Sequence, residues 1–127
     1  MMMKKLLPAL ALVLGVSALP TNIAHAHDGG TARHGGVVAT ASDLTFELVA
    51  QGGHAVVYVA DHGKPFAPVG LKGKLTVLTG AVKSEADLVV AGDKLEARSI
   101  ALAKGAKVVA AITMPNAKVI TVRFTVK

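Results

Sequence analysis

The chain ends in the run Ile120-Thr121-Val122-Arg123-Phe124-Thr125-Val126-Lys127, in which apolar and polar side chains alternate without a break. Successive side chains of a β-strand point to opposite faces of the sheet, so this pattern predicts a half-buried strand. Its inward face would hold Ile120, Val122, Phe124 and Val126.

Further runs toward the N-terminus have the same character. Leu44-Thr45-Phe46-Glu47-Leu48 alternates apolar with polar residues, and residues 54–60 are rich in β-branched and aromatic side chains. The intervening Gln51-Gly52-Gly53 supplies turn residues, so the two runs predict a β-hairpin. In residues 82–88 the charged side chains fall on one face, and Val37–Ala41 is the expected first strand.

Two valine-rich runs, residues 74–78 and residues 107–113, complete a series of seven or eight short strands. Turn signals every 8 to 12 residues are typical of an antiparallel, immunoglobulin-like β-sandwich, here over residues 37–127, with barrel closure as the alternative. Residues 93–96 also fit the start of a helix that Gly105 would end, but the alternation of charged and apolar side chains favours a strand.

The N-terminal region has the three parts of a secretory signal peptide. Lys4 and Lys5 form a basic tip, residues 6–19 are largely apolar, and Ala24-His25-Ala26 is a small-x-small cleavage site. The apolar run, about fourteen residues long, is short for a membrane span. We therefore expect cleavage after Ala26, leaving a periplasmic protein without a membrane span that begins at His27. Residues 27–36, rich in His and Gly, are expected to form a flexible lead-in.

The composition of the predicted mature chain excludes several classes of function. Its 101 residues suit one domain, with 12 Lys and Arg against 8 Asp and Glu, a net charge of +4 with neutral histidines. The chain has one Tyr, three Phe and no Trp, too few for a platform on which bases stack, so nucleic-acid binding is not expected. The absence of cysteine excludes disulfides and thiolate metal sites.

Catalysis has little support in the sequence. Ser42, Ser84 and Ser99 lie outside the context of a nucleophile elbow, and no phosphate-binding glycine loop or carboxylate-pair motif is present. We expect no enzymatic activity.

The histidines carry the candidate chemistry. A histidine at a free amino terminus offers two nitrogens that close a chelate ring, so with one further imidazole His27 would form a three-nitrogen site for Cu(II) or Zn(II). His34 and His62 are candidates for that imidazole, and Asp61 either binds the metal or holds the His62 ring through its other nitrogen. The alternative interpretation leaves these residues as a solvated turn and tail. His54 lies at the other end of its predicted strand from His62 and is expected to be a bystander.

Five short motifs of the chain are similar to motifs of a known protein family. They are His34-Gly35-Gly36-Val37-Val38, Phe46-Glu47-Leu48-Val49, residues 57–65, residues 105–110 and Val122-Arg123-Phe124. They resemble a family of small exported proteins that are similar to domains associated with periplasmic adaptor subunits of heavy-metal efflux systems. The resemblance spans residues 34–127 and implies a setting in metal efflux or tolerance.

A looser resemblance is to CopC-like copper-resistance proteins, small periplasmic β-sandwiches whose mature chain begins with a metal-binding histidine. It implies His27, Asp61 and His62 as ligands. Met114 is the single methionine of the predicted mature chain, so a methionine-rich Cu(I) site is not expected.

Two functions are expected from these observations. The first is a periplasmic metal-binding accessory protein that buffers or delivers Cu(II) or Zn(II), with a metal-efflux adaptor or another envelope protein as partner. The alternative is a non-catalytic envelope interaction module with incidental histidines, which docks through a sheet edge or a loop.

Overall fold

The structure, a computed structural model, describes residues 31–127, and every regular element in that range is a β-strand. The predicted signal peptide and His27 lie outside the described residues. The strands are β1 (Val37–Ala41), β2 (Leu44–Gln51), β3 (His54–Asp61), β4 (Lys64–Pro65), β5 (Lys72–Thr79), β6 (Val82–Ala91), β7 (Lys94–Ala97), β8 (Lys107–Thr113) and β9 (Val119–Thr125).

The strands form one antiparallel sheet that folds over into two layers. Its order is β1-β2-β3-β7-β6-β5-β8-β9, with β4 paired to the end of β3. The long strand β6 belongs to both layers, because residues 82–88 pair with β5 and residues 89–91 pair with β7. β1 and β9 lie against each other, so the sheet nearly closes into a barrel. The prediction of an antiparallel all-β, sandwich-like fold is confirmed, and the short strand β4 brings the count to nine.

The hydrophobic core lies between the layers and follows the alternation in the sequence. In β9 every second side chain is buried, as the run at residues 120–127 predicted, and β8 alternates in the same way. Burying one large apolar side chain contributes about 1.5–3 kcal/mol, so these inward faces supply most of the stabilisation. The largest fully buried side chains are Phe46, Leu75, Leu88, Leu95, Ile112, Val56, Val57, Val77, Val108 and Val122.

The segment that fitted a helix or a strand is strand β7. Leu95 and Ala97 are buried, while Lys94 and Glu96 are only partly so. The strand lies between β3 and β6 and pairs with both. The segment forms a strand because its backbone groups are hydrogen-bonded on both edges. A helix here would leave β3 and β6 without hydrogen-bond partners.

The predicted hairpin of β2 and β3 is confirmed. Gln51 lies opposite His54, and Gly52 and Gly53 form the turn with φ angles of 43° and 84°. Such a two-residue turn requires positive φ at both positions, which glycine adopts without a steric penalty.

Candidate functional site

A buried glutamate organises the outer face of the sheet. Glu47, in β2, is the one buried charged residue among residues 31–127, with 6% of its surface exposed. Its Oε1 accepts a hydrogen bond from the backbone N–H of Arg33 at 3.0 Å, and Oε2 accepts those of His34 and Gly36 at 2.8 and 2.9 Å. The Nδ1 of His34 lies 3.0 Å from Oε1. These four contacts hold the segment before β1 against β2.

Two glycines allow this segment to lie over Glu47. Gly35 adopts a φ of 74°, in the left-handed region that favours glycine. At Gly36 an added Cβ would lie 2.2 Å from the carbonyl oxygen of Leu48 and 2.8 Å from Cγ2 of Val49. The His34-Gly35-Gly36 motif therefore has a steric explanation, because a side chain at its last position would push the backbone away from β2.

Hydrogen bonding keeps Glu47 ionised. Burial raises the pKa of its carboxyl, but the bonds from Gly36, His34 and Arg33 together outweigh burial and hold the pKa below its usual value of 4.5. An ionised carboxylate only accepts hydrogen bonds, so the proton in its contact with the His34 ring lies on Nδ1. In the neutral form of this imidazole Nε2 carries no proton, and such a nitrogen binds metal ions.

The ring of His34 also stacks on Tyr58. The ring centroids are 3.6 Å apart and the planes differ by 3°. Tyr58, in β3, lies directly opposite Glu47 in the β2–β3 ladder, so adjacent strands supply the carboxylate and the aromatic face. The two contacts fix the orientation of the imidazole, while 41% of the His34 side chain stays exposed.

A second imidazole–carboxylate pair lies in the turn between β3 and β4. The Nδ1 of His62 is 2.5 Å from Oδ1 of Asp61, and both side chains are exposed. His62 and Gly63 have φ angles of 49° and 80°, and Asp61 lies opposite Lys64, which makes this a two-residue hairpin turn. Of the two roles predicted for Asp61, its contact corresponds to holding the His62 ring.

A cavity of about 250 Å³ lies beside the first pair, between the segment before β1 and the outer face of the sheet. The guanidinium of Arg33 reaches the β3–β4 turn, with Nη2 3.5 Å from the position that a Cβ of Gly63 would occupy. The cavity therefore connects the neighbourhood of His34 with the turn that carries His62. Its polar and aromatic lining includes Arg33, His34, Glu47, Tyr58 and Asp93.

In the structure the predicted ligands His34 and His62 belong to two different imidazole–carboxylate pairs. His34 pairs with Glu47, and His62 pairs with Asp61. Across residues 31–127 no three His, Asp or Glu side chains form a group that holds a metal ion. His54 lies opposite Gln51 at the start of β3, so its predicted separation from the turn at the end of that strand is confirmed.

Sequence reasoning missed Glu47. The alternation in residues 44–48 places this position on the face opposite Phe46 and Leu48, but it does not indicate that the segment before β1 covers that face and buries Glu47. The available signal was an acidic residue between Phe46 and Leu48 in a chain that also carries the His34-Gly35-Gly36 motif.

Comparison with known proteins gives no relative from which a function follows: no family model, no curated protein and no solved structure matches the chain. In the described part of the chain, no helix has the length and apolar character needed to cross a membrane.

Proposed function

We propose that the protein is a periplasmic metal-binding accessory that buffers or delivers Cu(II) or Zn(II) in metal efflux or tolerance. The observation that carries this proposal is that His34 and His62 each have Nδ1 against a carboxylate oxygen, at 3.0 and 2.5 Å. Histidines that ligate metals commonly donate their other ring N–H to a carboxylate, which fixes the tautomer and the ring orientation. Both imidazoles therefore have Nε2 available for an ion.

The remaining nitrogens come from His27 in this proposal. Its amino group and its imidazole would form a chelate, and Nε2 of His34 or of His62 would complete a three-nitrogen set. Nitrogen ligands of this kind suit Cu(II) and Zn(II). The donors of the chain favour Cu(II) over Cu(I), because the predicted mature chain has no cysteine and a single methionine.

Native mass spectrometry tests the proposal. The protein is recovered from the periplasm of an expressing Gram-negative cell, and its mass is measured with and without added Cu(II) or Zn(II). We expect a chain that begins at His27 and retains one ion, and we expect loss of that ion when His27 is deleted. Retention of neither ion at a free concentration of about 10 µM, an affinity of roughly 7 kcal/mol, would contradict metal binding.

Matched variants assign the ligands. His62→Asn is preferable to an alanine variant, because asparagine tolerates the left-handed backbone of the turn, and His34→Gln removes the other imidazole. We expect one of the two to weaken binding about tenfold or more, whereas His54→Gln, at the far end of β3, leaves it unchanged. Equal loss in all three would contradict the assignment.

A second candidate function is a non-catalytic envelope interaction module with structural histidines. The specific observation in its favour is that His34 already has a partner for its ring face, Tyr58, and a partner for Nδ1, Glu47. In that case His34→Gln lowers the free energy of unfolding but no variant changes metal retention. The same mass measurements, combined with urea unfolding, distinguish the two functions.

A further inference from the structure

The first part of β6 forms an edge of one layer. Residues 82–88 pair with β5 on one side, but on the other side β7 reaches only residues 89–91. Within residues 31–127 no strand pairs with that second side of residues 82–88. The edge is solvent-accessible, since Val82 is 65% exposed and residues 83–85 are exposed as well. It therefore presents a row of backbone donors and acceptors to an approaching strand.

The hairpin geometry determines which backbone groups face outward. Thr79 and Val82 close the two-residue turn between β5 and β6, so their N–H and C=O groups bond to each other. Alternate residues of an antiparallel strand bond to the same neighbour, which directs the groups of Ser84 and Ala86 toward β5. The N–H and C=O groups of Lys83, Glu85 and Asp87 consequently point out of the sheet edge.

The side chains along this edge are arranged in an order that complements itself. Lys83, Glu85 and Asp87 lie on the outer face of the layer, and Ser84 lies on the other face. Charged residues on an edge strand ordinarily discourage pairing with other chains. A lysine followed two residues later by a glutamate instead favours pairing with a second copy of the same strand. The second copy runs antiparallel, so its glutamate lies opposite this chain's lysine.

We propose that two copies of the chain pair along this edge, β6 against β6, with Ser84 opposite Ser84 of the partner subunit. Two-fold symmetry then places Lys83 opposite the partner's Glu85 in two equivalent pairs. On the inner face Val82 meets the partner's Ala86, also twice, and this covers an exposed apolar side chain. The interface is isologous and closed, as expected for a symmetric dimer.

Charge selects this register over its neighbours. Residues opposite each other in an antiparallel ladder point their side chains to the same face of the sheet. The two-fold axis of the dimer must therefore pass beside a residue of β6, and each alternative register shifts that axis by a whole residue. Centring on Lys83 or on Glu85 sets that residue against its own copy, and centring on Ala86 sets Glu85 against the partner's Asp87. Like charges directly opposite each other destabilise a ladder, so the Ser84 register is preferred.

Lys83 and Glu85 can exchange their ion pairs within one chain for ion pairs with the partner subunit. In the single chain Glu85 contacts Nζ of Lys74 at 3.0 Å and Nζ of Lys83 at 3.1 Å. All three side chains are substantially exposed, and exposed ion pairs contribute little to stability. Lys83 therefore gives up a weak contact within its own chain when it pairs with the partner's Glu85. Pairing along this edge does not depend on metal binding.

Charge complementation tests the dimer. Sedimentation equilibrium of the purified protein between about 10 µM and about 1 mM is expected to show a monomer–dimer equilibrium. Lys83→Glu alone and Glu85→Lys alone each place like charges opposite in both pairs, so each is expected to weaken self-association about tenfold or more. An equimolar mixture of the two variants restores complementary pairs and is expected to form a heterodimer.

Amide hydrogen exchange localises the contact. In the dimer the amides of Lys83 and Glu85 are expected to become protected, because they face outward from the edge and lie opposite each other in the Ser84 register. Lys118→Glu, the same charge change in the β8–β9 turn, is the control and is expected to leave association unchanged. The proposal is overturned by a monomeric wild-type protein over the whole concentration range, by a mixture that fails to associate, or by protection elsewhere than at β6.

Discussion

Glu47 holds both the backbone and the ring of His34. One carboxylate oxygen accepts the His34 backbone N–H at 2.8 Å, and the other lies 3.0 Å from Nδ1 of the imidazole. A single buried side chain thus fixes a candidate ligand 13 residues earlier in the chain. Stability and the candidate site are coupled through this contact, and a change at Glu47 should affect both.

Replacement of Glu47 by glutamine is expected to destabilise the fold. The amide group would turn N–H donors toward backbone N–H donors, and at least one buried donor would lose its acceptor. The expected loss in the free energy of unfolding is about 2–4 kcal/mol, measured by urea denaturation. The control Asp87→Asn, on an exposed position, should change stability by less than about 0.5 kcal/mol. Equal stability of both variants would contradict the anchoring role.

Stability should fall in acid, in part through Glu47. The folded-state pKa of this carboxyl lies below its usual value of 4.5, so between these two values the unfolded chain binds the extra proton. Its contribution is therefore fully present above pH 4.5 and is lost as the pH falls through the lowered pKa. Urea midpoints of wild type and Glu47→Gln should converge on acidification. A constant difference at all pH values would argue against a lowered pKa.

Gly36→Ala is expected to be costly for steric reasons. The new methyl group would lie 2.2 Å from the carbonyl oxygen of Leu48, so the segment must move off β2. We expect a loss of about 2–3 kcal/mol and faster exchange of the amide at this position. Gly35→Ala meets no atom within 4 Å and should cost only the left-handed backbone penalty, about 1–2 kcal/mol. A larger effect at Gly35 would contradict the close approach.

Tyrosine fluorescence reports on the imidazole directly. Tyr58 is the only tyrosine, the chain has no tryptophan, and the Tyr58 ring stacks on His34 at 3.6 Å. If Cu(II) binds Nε2 of His34, the paramagnetic ion should quench this emission strongly, whereas Zn(II), a d¹⁰ ion, should not.

His34→Gln provides the control for that measurement. It should abolish quenching by Cu(II) at concentrations that saturate the wild type, while His62→Asn should leave quenching intact if His34 is the ligand. Quenching that persists without the His34 imidazole would assign the copper to other residues.

Much of the fold could be predicted from local patterns. The strict alternation in residues 120–127 and in residues 107–113 identifies core-facing side chains without knowledge of their partners, because a strand repeats every two residues. The same rule does not show that Glu47 is buried, because the segment that covers its outer face is close in space and distant in sequence. Alternation indicates which residues share a face but not what lies over that face.

The class of fold, the hairpin at Gly52-Gly53 and the candidate imidazoles could all be predicted from local properties, namely periodicity, turn chemistry and residue type. Two features become visible only in the folded chain: Glu47 and Tyr58 fix His34, and residues 82–88 keep an open edge. Both are outcomes of strand order and of the path of the chain over the sheet. They arise from long-range packing, which no local pattern specifies.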